Sequence, residues 1–272
     1  LLLQHTIVKN IENKEENIMK FTNEIDTVKA IINSLKLNKR VVHLRYNDGD
    51  FYTMLPEYVG RLVGHSNKSL ISEEMRKKVI DGYNIEDECY FVGTTLGNPH
   101  PHSTASNVSL QKVAQLNLTQ HEKVYSSIAF METFMEEPDL FIEFCKLINN
   151  KKTLYINQYC EPILEKFYGK IEHYIQVPGT NSTAIYKEVV ETLSKLDSNS
   201  FDQIVLSAGF LTRVIAKDLW KMFPEKCIFD VGSVSDMIIV NEKSFSNIAK
   251  RGHIKNNINL IKERVAYYDT AL

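Results

Sequence analysis

The stretch Gln203-Ile204-Val205-Leu206-Ser207-Ala208-Gly209-Phe210-Leu211, running on to Met222, decides the fold of this 272-residue chain. Five residues of strand character, Gln203 to Ser207, enter a turn of small residues, and the turn opens a helix from about Leu211 to Met222. The same alternation surrounds it. Thr153-Leu154-Tyr155-Ile156-Asn157 reads as a strand and Pro162 to Tyr168 as a helix. His173 to Val177 reads as a second strand, closed by Pro178-Gly179. Thr183 to Leu196 carries Ile185, Val189, Val190 and Leu193 at helical spacing. Cys227-Ile228-Phe229-Asp230-Val231 is a fourth strand. Strands alternating with helices predict right-handed crossovers and a mainly parallel sheet with helices on both faces, a Rossmann-like α/β fold.

The N-terminal half is less regular. Ile25, Val28, Ile31, Ile32 and Leu35 predict an amphipathic helix leading into the strand Val41-Val42-His43-Leu44. Further strands are expected at Cys89–Gly93 and Val124–Phe130, with helices near 70–80, 107–116 and 139–148. The chain reads as one two-lobed domain over residues 19–272, an N-terminal lobe over about 19–150 and the Rossmann-like lobe over about 151–272. Residues 1–18, rich in Asn, Glu and Lys, read as an extension or linker.

Composition narrows the function classes. The chain is 43% hydrophobic and 24% charged with net charge −2, enough apolar material for a sizeable core. Near-neutral charge without a basic tract argues against a nucleic-acid binder. No apolar run approaches the ~20 residues of a membrane-spanning helix, and the first residues lack signal-peptide features. Cys89, Cys145, Cys160 and Cys227 form no CxxC pair, which disfavours a zinc site or disulfide framework. The expectation is a cytoplasmic protein, soluble or peripheral to a membrane.

In an open α/β sheet ligands bind outside the carboxyl ends of the strands, so residues just after each strand carry extra weight. Arg45-Tyr46-Asn47-Asp48-Gly49-Asp50 follows the first strand. Asp48 and Asp50 could ligate a divalent cation shared with substrate phosphates, with Gly49 at φ > 0 turning both carboxylates to one side and Arg45 as a phosphate fork. A surface Asn-Asp-Gly turn is the plain alternative. Ser207-Ala208-Gly209 stands at a helix N-terminus, where backbone amides and the helix dipole suit a phosphate, or where small residues merely permit close packing. Arg213, one turn into that helix, either assists or is a solvated surface arginine. Asp236 is a candidate general base or sugar-hydroxyl contact, or else a turn residue. Asp230 lies within its strand and could equally be a buried structural carboxylate. Glu132 is a weaker candidate, set against a solvated helix face. His100 and His102, in a Gly/Pro-rich loop without a third ligand, suit acceptor binding or phosphate neutralisation, or have no role. A P-loop, a GxGxxG turn and a GxSxG elbow are absent, which disfavours P-loop NTPases, dinucleotide oxidoreductases and the usual α/β-hydrolases.

Three of these segments together resemble the GT-D glycosyltransferase superfamily. Arg45 to Asp50 is similar to its Arg-(aromatic)-Gly-Asp-Gly-Glu signature, Ile204 to Gly209 with Ala216 to Trp220 to its strand–Gly–helix segment, and Asp230 to Asp236 to its closing segment. The resemblance covers roughly residues 40–240, with Asn47 in place of Gly and Asp50 in place of Glu. It implies a nucleotide-sugar donor, such as a UDP-sugar, bound by Arg45, Asp48, Gly49, Asp50, Ser207, Gly209 and Arg213. It also implies Mn²⁺ or Mg²⁺ on Asp48 and Asp50; a glycan or glycolipid acceptor is expected, with His100 and His102 as its candidate contacts. Asp236, ahead of Glu132, would be the base; a homodimer is compatible with all of this. The competing expectations are a metal-dependent phosphohydrolase or nucleotidyltransferase, and a non-catalytic nucleotide-binding module.

Overall fold

The computed structural model describes residues 20–63, 69–94, 116, 118–239, 260–261 and 263–265. In chain order the elements are β1 (Lys20–Thr22), α1 (Glu24–Lys36), β2 (Val42–Tyr46), α2 (Asp48–Thr53), β3 (Leu62–Val63), β4 (Ser69–Leu70), α3 (Glu73–Tyr83), β5 (Tyr90–Thr94) and β6 (Lys123–Ser126). They continue with α4 (Ala129–Glu136), α5 (Pro138–Ile148), β7 (Lys152–Asn157), α6 (Glu165–Tyr168), β8 (Lys170–Gln176), α7 (Tyr186–Ser194), β9 (Gln203–Ser207), α8 (Leu211–Met222), β10 (Cys227–Asp230) and α9 (Val234–Ile239). Eight strands make one parallel sheet in the order β1-β6-β5-β2-β10-β9-β7-β8, and β3 and β4 form a separate antiparallel pair. The Rossmann-like α/β architecture expected from the sequence is present. Strands of both halves share this sheet, joined where Val42 and His43 pair with Ile228 and Phe229.

Alternation along the strands divides the interior into two cores. Val42, Leu44 and Tyr46, Leu154 and Ile156, Ile204 and Leu206, and Ile228 face one side, where α2, α3, α7 and α8 pack. Val41, Tyr155, Val205 and Phe229 face the other, under α1, α4, α5, α6 and α9. With both faces covered, the central strands read as continuous apolar runs. Each fully buried Phe, such as Phe130, Phe144 or Phe229, contributes about 1.5–3 kcal/mol. Crossovers that step toward the β1 edge run over the first face, and those that step toward β8 run over the second. The crossovers built from described helices therefore have one hand, as the handedness rule demands.

Helix starts follow from local chemistry. Asn23 caps α1 by accepting from the Asp26 amide at 2.8 Å, with Glu24 and Asp26 in the first turn and Lys36 in the last. Ser72 caps α3 through the Met75 amide, which places that helix a few residues beyond the expected 70–80. The expected strand Val124–Phe130 ends earlier. β6 stops at Ser126, whose Oγ accepts from the Ile128 amide, and Ala129 already begins α4. The helix expected near 107–116 lies outside the described residues except for Leu116. No helix among the described residues is long and apolar enough to cross a membrane.

Candidate active site

The carboxyl end of β10 is where the sheet opens. The chain leaves β2 and β9, its two neighbours, over the α8 face, and leaves β10 itself over the opposite face into α9. Connections that part in this way create the crevice in which α/β proteins bind ligands.

From the β2 side the chain enters α2 at Asn47. The Asn47 N–H donates to Asp50 Oδ2 at 2.8 Å, a carboxylate at the third helical position reaching back to the cap. Gly49 sits inside this first turn, is not among the glycines of positive φ, and has open space where a Cβ would stand. The expected turn with Gly49 at positive φ is thus replaced by a helix N-terminus. Asp48 occupies its first helical position, and its side chain is not among the described groups.

Asp50 faces Arg213. Arg213 Nε lies 3.1 Å from Asp50 Oδ2, and Nη1 donates to Asp230 Oδ2 at 3.0 Å and to the Gly209 carbonyl at 2.9 Å. The other oxygen of Asp230 accepts from the Gly232 amide at 3.1 Å. It also stands 3.2 Å from Arg45 Nε, off the hydrogen-bond axis, so this contact is an ion pair. Arg45 Nη1 donates to the Ser127 carbonyl at 3.2 Å. Arg45, Asp230, Arg213 and Asp50 alternate in one chain of two cations and two anions, with Arg213, at 5% side-chain exposure, and Asp230, at 1%, in its middle. Arg213 is therefore no solvated arginine. Buried charges persist only when paired and hydrogen-bonded, and these are.

Electrostatics agree with the geometry. Burial alone would raise the Asp230 carboxyl, but Arg45 and Arg213 overcome it and hold it below the ordinary aspartate value. Burial works against the Arg213 charge, yet Asp50 and Asp230 outweigh it and raise the guanidinium further. His43, fully buried beside this network, is lowered to about 4, first by burial and then by the two arginines against the pull of Asp230. It is neutral, with Nε2 3.3 Å from the Ser126 carbonyl and its ring edge-on to Phe130. Among the described residues no group pairs with the buried Nδ1.

Within this site, Gly232 has a steric function. At Gly232, φ is +58°, and a Cβ would lie 2.2 Å from Arg45 Nη2 and 2.3 Å from its central carbon. The Arg45 guanidinium lies flat on this residue, which fixes a cationic plane at the crevice mouth. Ser207 Oγ donates to the Gly232 carbonyl at 2.5 Å, tying the end of β9 to the same turn. Gly209, at φ +58°, turns the chain into α8, so Ser207, Gly209 and Arg213 all border the crevice.

Asp236 stands in the first turn of α9, half-buried, with its carboxyl raised by that burial. Glu132 is in the first turn of α4, whose neighbouring Met131 Sδ accepts from Ser233 Oγ at 3.7 Å. His100 and His102 lie outside the described residues.

The donor set for a cation is thin. Asp50 Oδ2 is already shared by Arg213 and an amide, and no group of three or more His, Cys, Asp or Glu among the described residues could hold a metal ion. Among the described residues no prebuilt cage is present. Mg²⁺ held by one or two carboxylates and substrate phosphates is a smaller demand.

The fold is similar to that of domain of unknown function 1792. Two solved structures of that domain superpose with TM-scores of 0.61 and 0.60, each at 14% sequence identity and over 88% of this chain and 91% of that chain. One is described as having a distinct glycosyltransferase fold, and the other as a selenomethionine-substituted structure of the domain. At that identity the likeness carries the fold alone. No protein-family model and no curated protein matches the chain.

Asp230 emerges as the centre of the candidate site, although the sequence left its role open. Its signal was an ionisable residue ending the apolar run Cys227-Ile228-Phe229, which demands a buried cation nearby. His43 and the Ser127 carbonyl, which complete the setting, carry no comparable signal.

Proposed function

We propose that the chain is a glycosyltransferase of the GT-D kind, taking a nucleotide-sugar donor across the carboxyl ends of β2, β10 and β9. The observation that carries this reading is the ion-pair chain at the β10 crevice, which fixes Arg45 at the mouth within a glycosyltransferase-like fold. A nucleoside diphosphate leaving group gathers charge as its bond to the sugar breaks. Arg45, held on Gly232, and the amides of the Ser207–Gly209 turn are preorganised for that charge. Asp50 acts through Arg213, holding it against Asp230. Asp236 is the base that takes the proton from the acceptor hydroxyl, a role for which a carboxyl raised by burial is suited. Mn²⁺ or Mg²⁺ arriving with the diphosphate would draw on Asp48 and Asp50 and neutralise leaving-group charge; no step here depends on it.

Calorimetric titration with UDP, with and without Mn²⁺, followed by UDP release from a panel of UDP-sugars, tests the reading. Binding of UDP and turnover that depends on the sugar are expected. Absence of nucleotide binding would refute the assignment, and cleavage of any nucleoside diphosphate regardless of sugar would favour a phosphohydrolase.

A further inference from the structure

A second opening lies two strands from the first. The chain leaves β7 over the α6 face toward β8, and leaves its neighbour β9 over the α8 face toward β10. The two connections part at Asn157 and Ser207, which are paired in register. A topological switch point therefore exists here as well. From β10 to β7 is two strand spacings, about 10 Å, the length scale of two joined sugar rings.

The residues at this opening suit a hydroxyl-rich ligand with a flat face. Tyr159 is 44% exposed, among the few large hydrophobic side chains the described surface presents, and its hydroxyl accepts from Gln158 Nε2 at 2.8 Å. Gln158 is held in turn. Its amide donates to Asn157 Oδ1 at 2.7 Å, its carbonyl accepts from Gln176 Nε2 at 3.3 Å, and its side chain rests where a Cβ on Gly179 would stand, 2.2 Å from Oε1. Asn157 is fixed by donating to the Tyr155 hydroxyl at 2.6 Å. An aromatic ring standing on an anchored amide offers an apolar face beside hydrogen-bonding groups, as sugar-binding surfaces do. Asp236 borders the same place. It interacts electrostatically with Tyr155 of β7 and with Tyr168, and its neighbour Ser235 lies 3.4 Å from the Tyr168 hydroxyl.

We infer that the β7–β9 opening, with Tyr159 and Gln158 as its wall, is the acceptor subsite and takes a glycoside whose ring stacks on Tyr159, an assignment that rests on the donor site proposed above. Donor and acceptor then meet over Ser207, with Asp236 between them. In the transfer the bond from the anomeric carbon to the diphosphate oxygen breaks and UDP leaves with that electron pair. A bond forms from the same carbon to the acceptor oxygen, and the hydroxyl proton passes to Asp236.

The test uses p-nitrophenyl glycosides of glucose, galactose and N-acetylglucosamine as acceptor probes, with UDP-sugars as donors. Tyr159→Ala, at an exposed position, and Gln158→Ala, at a partly buried one, are compared with the wild-type chain. Tyr159→Ala should raise the acceptor KM about tenfold, leaving kcat, UDP affinity and acceptor-free UDP release unchanged. Unchanged acceptor KM in both variants, or lost UDP affinity in Tyr159→Ala, overturns the subsite alone. A wild-type chain that releases UDP yet transfers to none of the probes overturns the acceptor class. One that binds no UDP at all removes the donor assignment and the subsite with it.

Discussion

Replacing Asp230 by Asn removes one of two anions from a buried chain that holds two guanidinium groups, while keeping the side chain's shape. Asp230 accepts from the Gly232 amide on one oxygen, which also pairs ionically with Arg45 Nε, and from Arg213 Nη1 on the other. An Asn at this position must turn its NH₂ toward one set, so a donor faces a donor in either orientation, and Asp50 alone is left to balance both arginines. Breaking a buried pair by removing one partner costs about 3–5 kcal/mol. With a urea slope near 3 kcal/mol/M, the unfolding midpoint should fall by about 1–1.7 M. Circular dichroism during urea titration at pH 7 measures it. Combining Asp230→Asn with Arg213→Met should cost at least about 1 kcal/mol less than the sum of the single changes, since the second change removes the charge left uncompensated by the first. Acid provides an internal check. Asp230 is depressed in the folded chain, so its contribution is full above the ordinary value of 3.8 and is lost as pH falls through the lower folded value. The variant should lack that loss. A midpoint shift equivalent to less than about 1 kcal/mol, or strict additivity, would refute the claim that these four residues act as one unit.

Three further outcomes are expected. Gly232→Ala, which drives a methyl into the Arg45 guanidinium at a positive φ, should destabilise the chain by about 1–3 kcal/mol and weaken UDP binding about tenfold; calorimetry showing wild-type affinity would separate Arg45 from the donor. His43 titrates near 6.5 when unfolded and about 4 when folded, so the unfolded chain binds the proton first and stability should drop by about 3 kcal/mol between those values as pH falls; His43→Gln should flatten that limb of the urea midpoint against pH. If Asp236 is the base, kcat should decline on acidification at a pH above the ordinary aspartate range, and Asp236→Asn should lower kcat by about 10²–10⁴ while sparing UDP binding; survival of the acidic limb in the variant would show that another group takes the proton.

The β/α half was readable because its signals are local. Strands such as Ile204-Val205-Leu206 are apolar on both faces, and α8 and α7 repeat apolar residues at helical spacing. The site was readable only in position. Sequence rules place Arg45, Ser207 and Asp236 after strands, but a partner 163 residues away decides that Arg213 points inward to Asp50. Periodicity registers hydrophobicity and is blind to a charge neutralised across the sheet. The Asp48-Gly49-Asp50 stretch is a helix start rather than a turn for a local reason: Asn47 and Asp50 stand at the spacing of a helix cap, and the cap governs the backbone. Val124–Phe130 was overextended because a buried strand and a buried helix start have the same apolar content.

The seam between β2 and β10 has a consequence for how the chain is made. Arg40 bonds to the Lys226 carbonyl across 186 residues, just ahead of that pairing. On the ribosome, β2 therefore waits with an open edge until residues 227–230 emerge, and β9 waits on the other side. β10 must slide between them, carrying Asp230 to both arginines at once. Contacts so distant along the chain form late and slowly. A nascent chain halted before residue 227 would hold two half-sheets with bare facing edges and no competent crevice, a stage at which association between chains competes with completion.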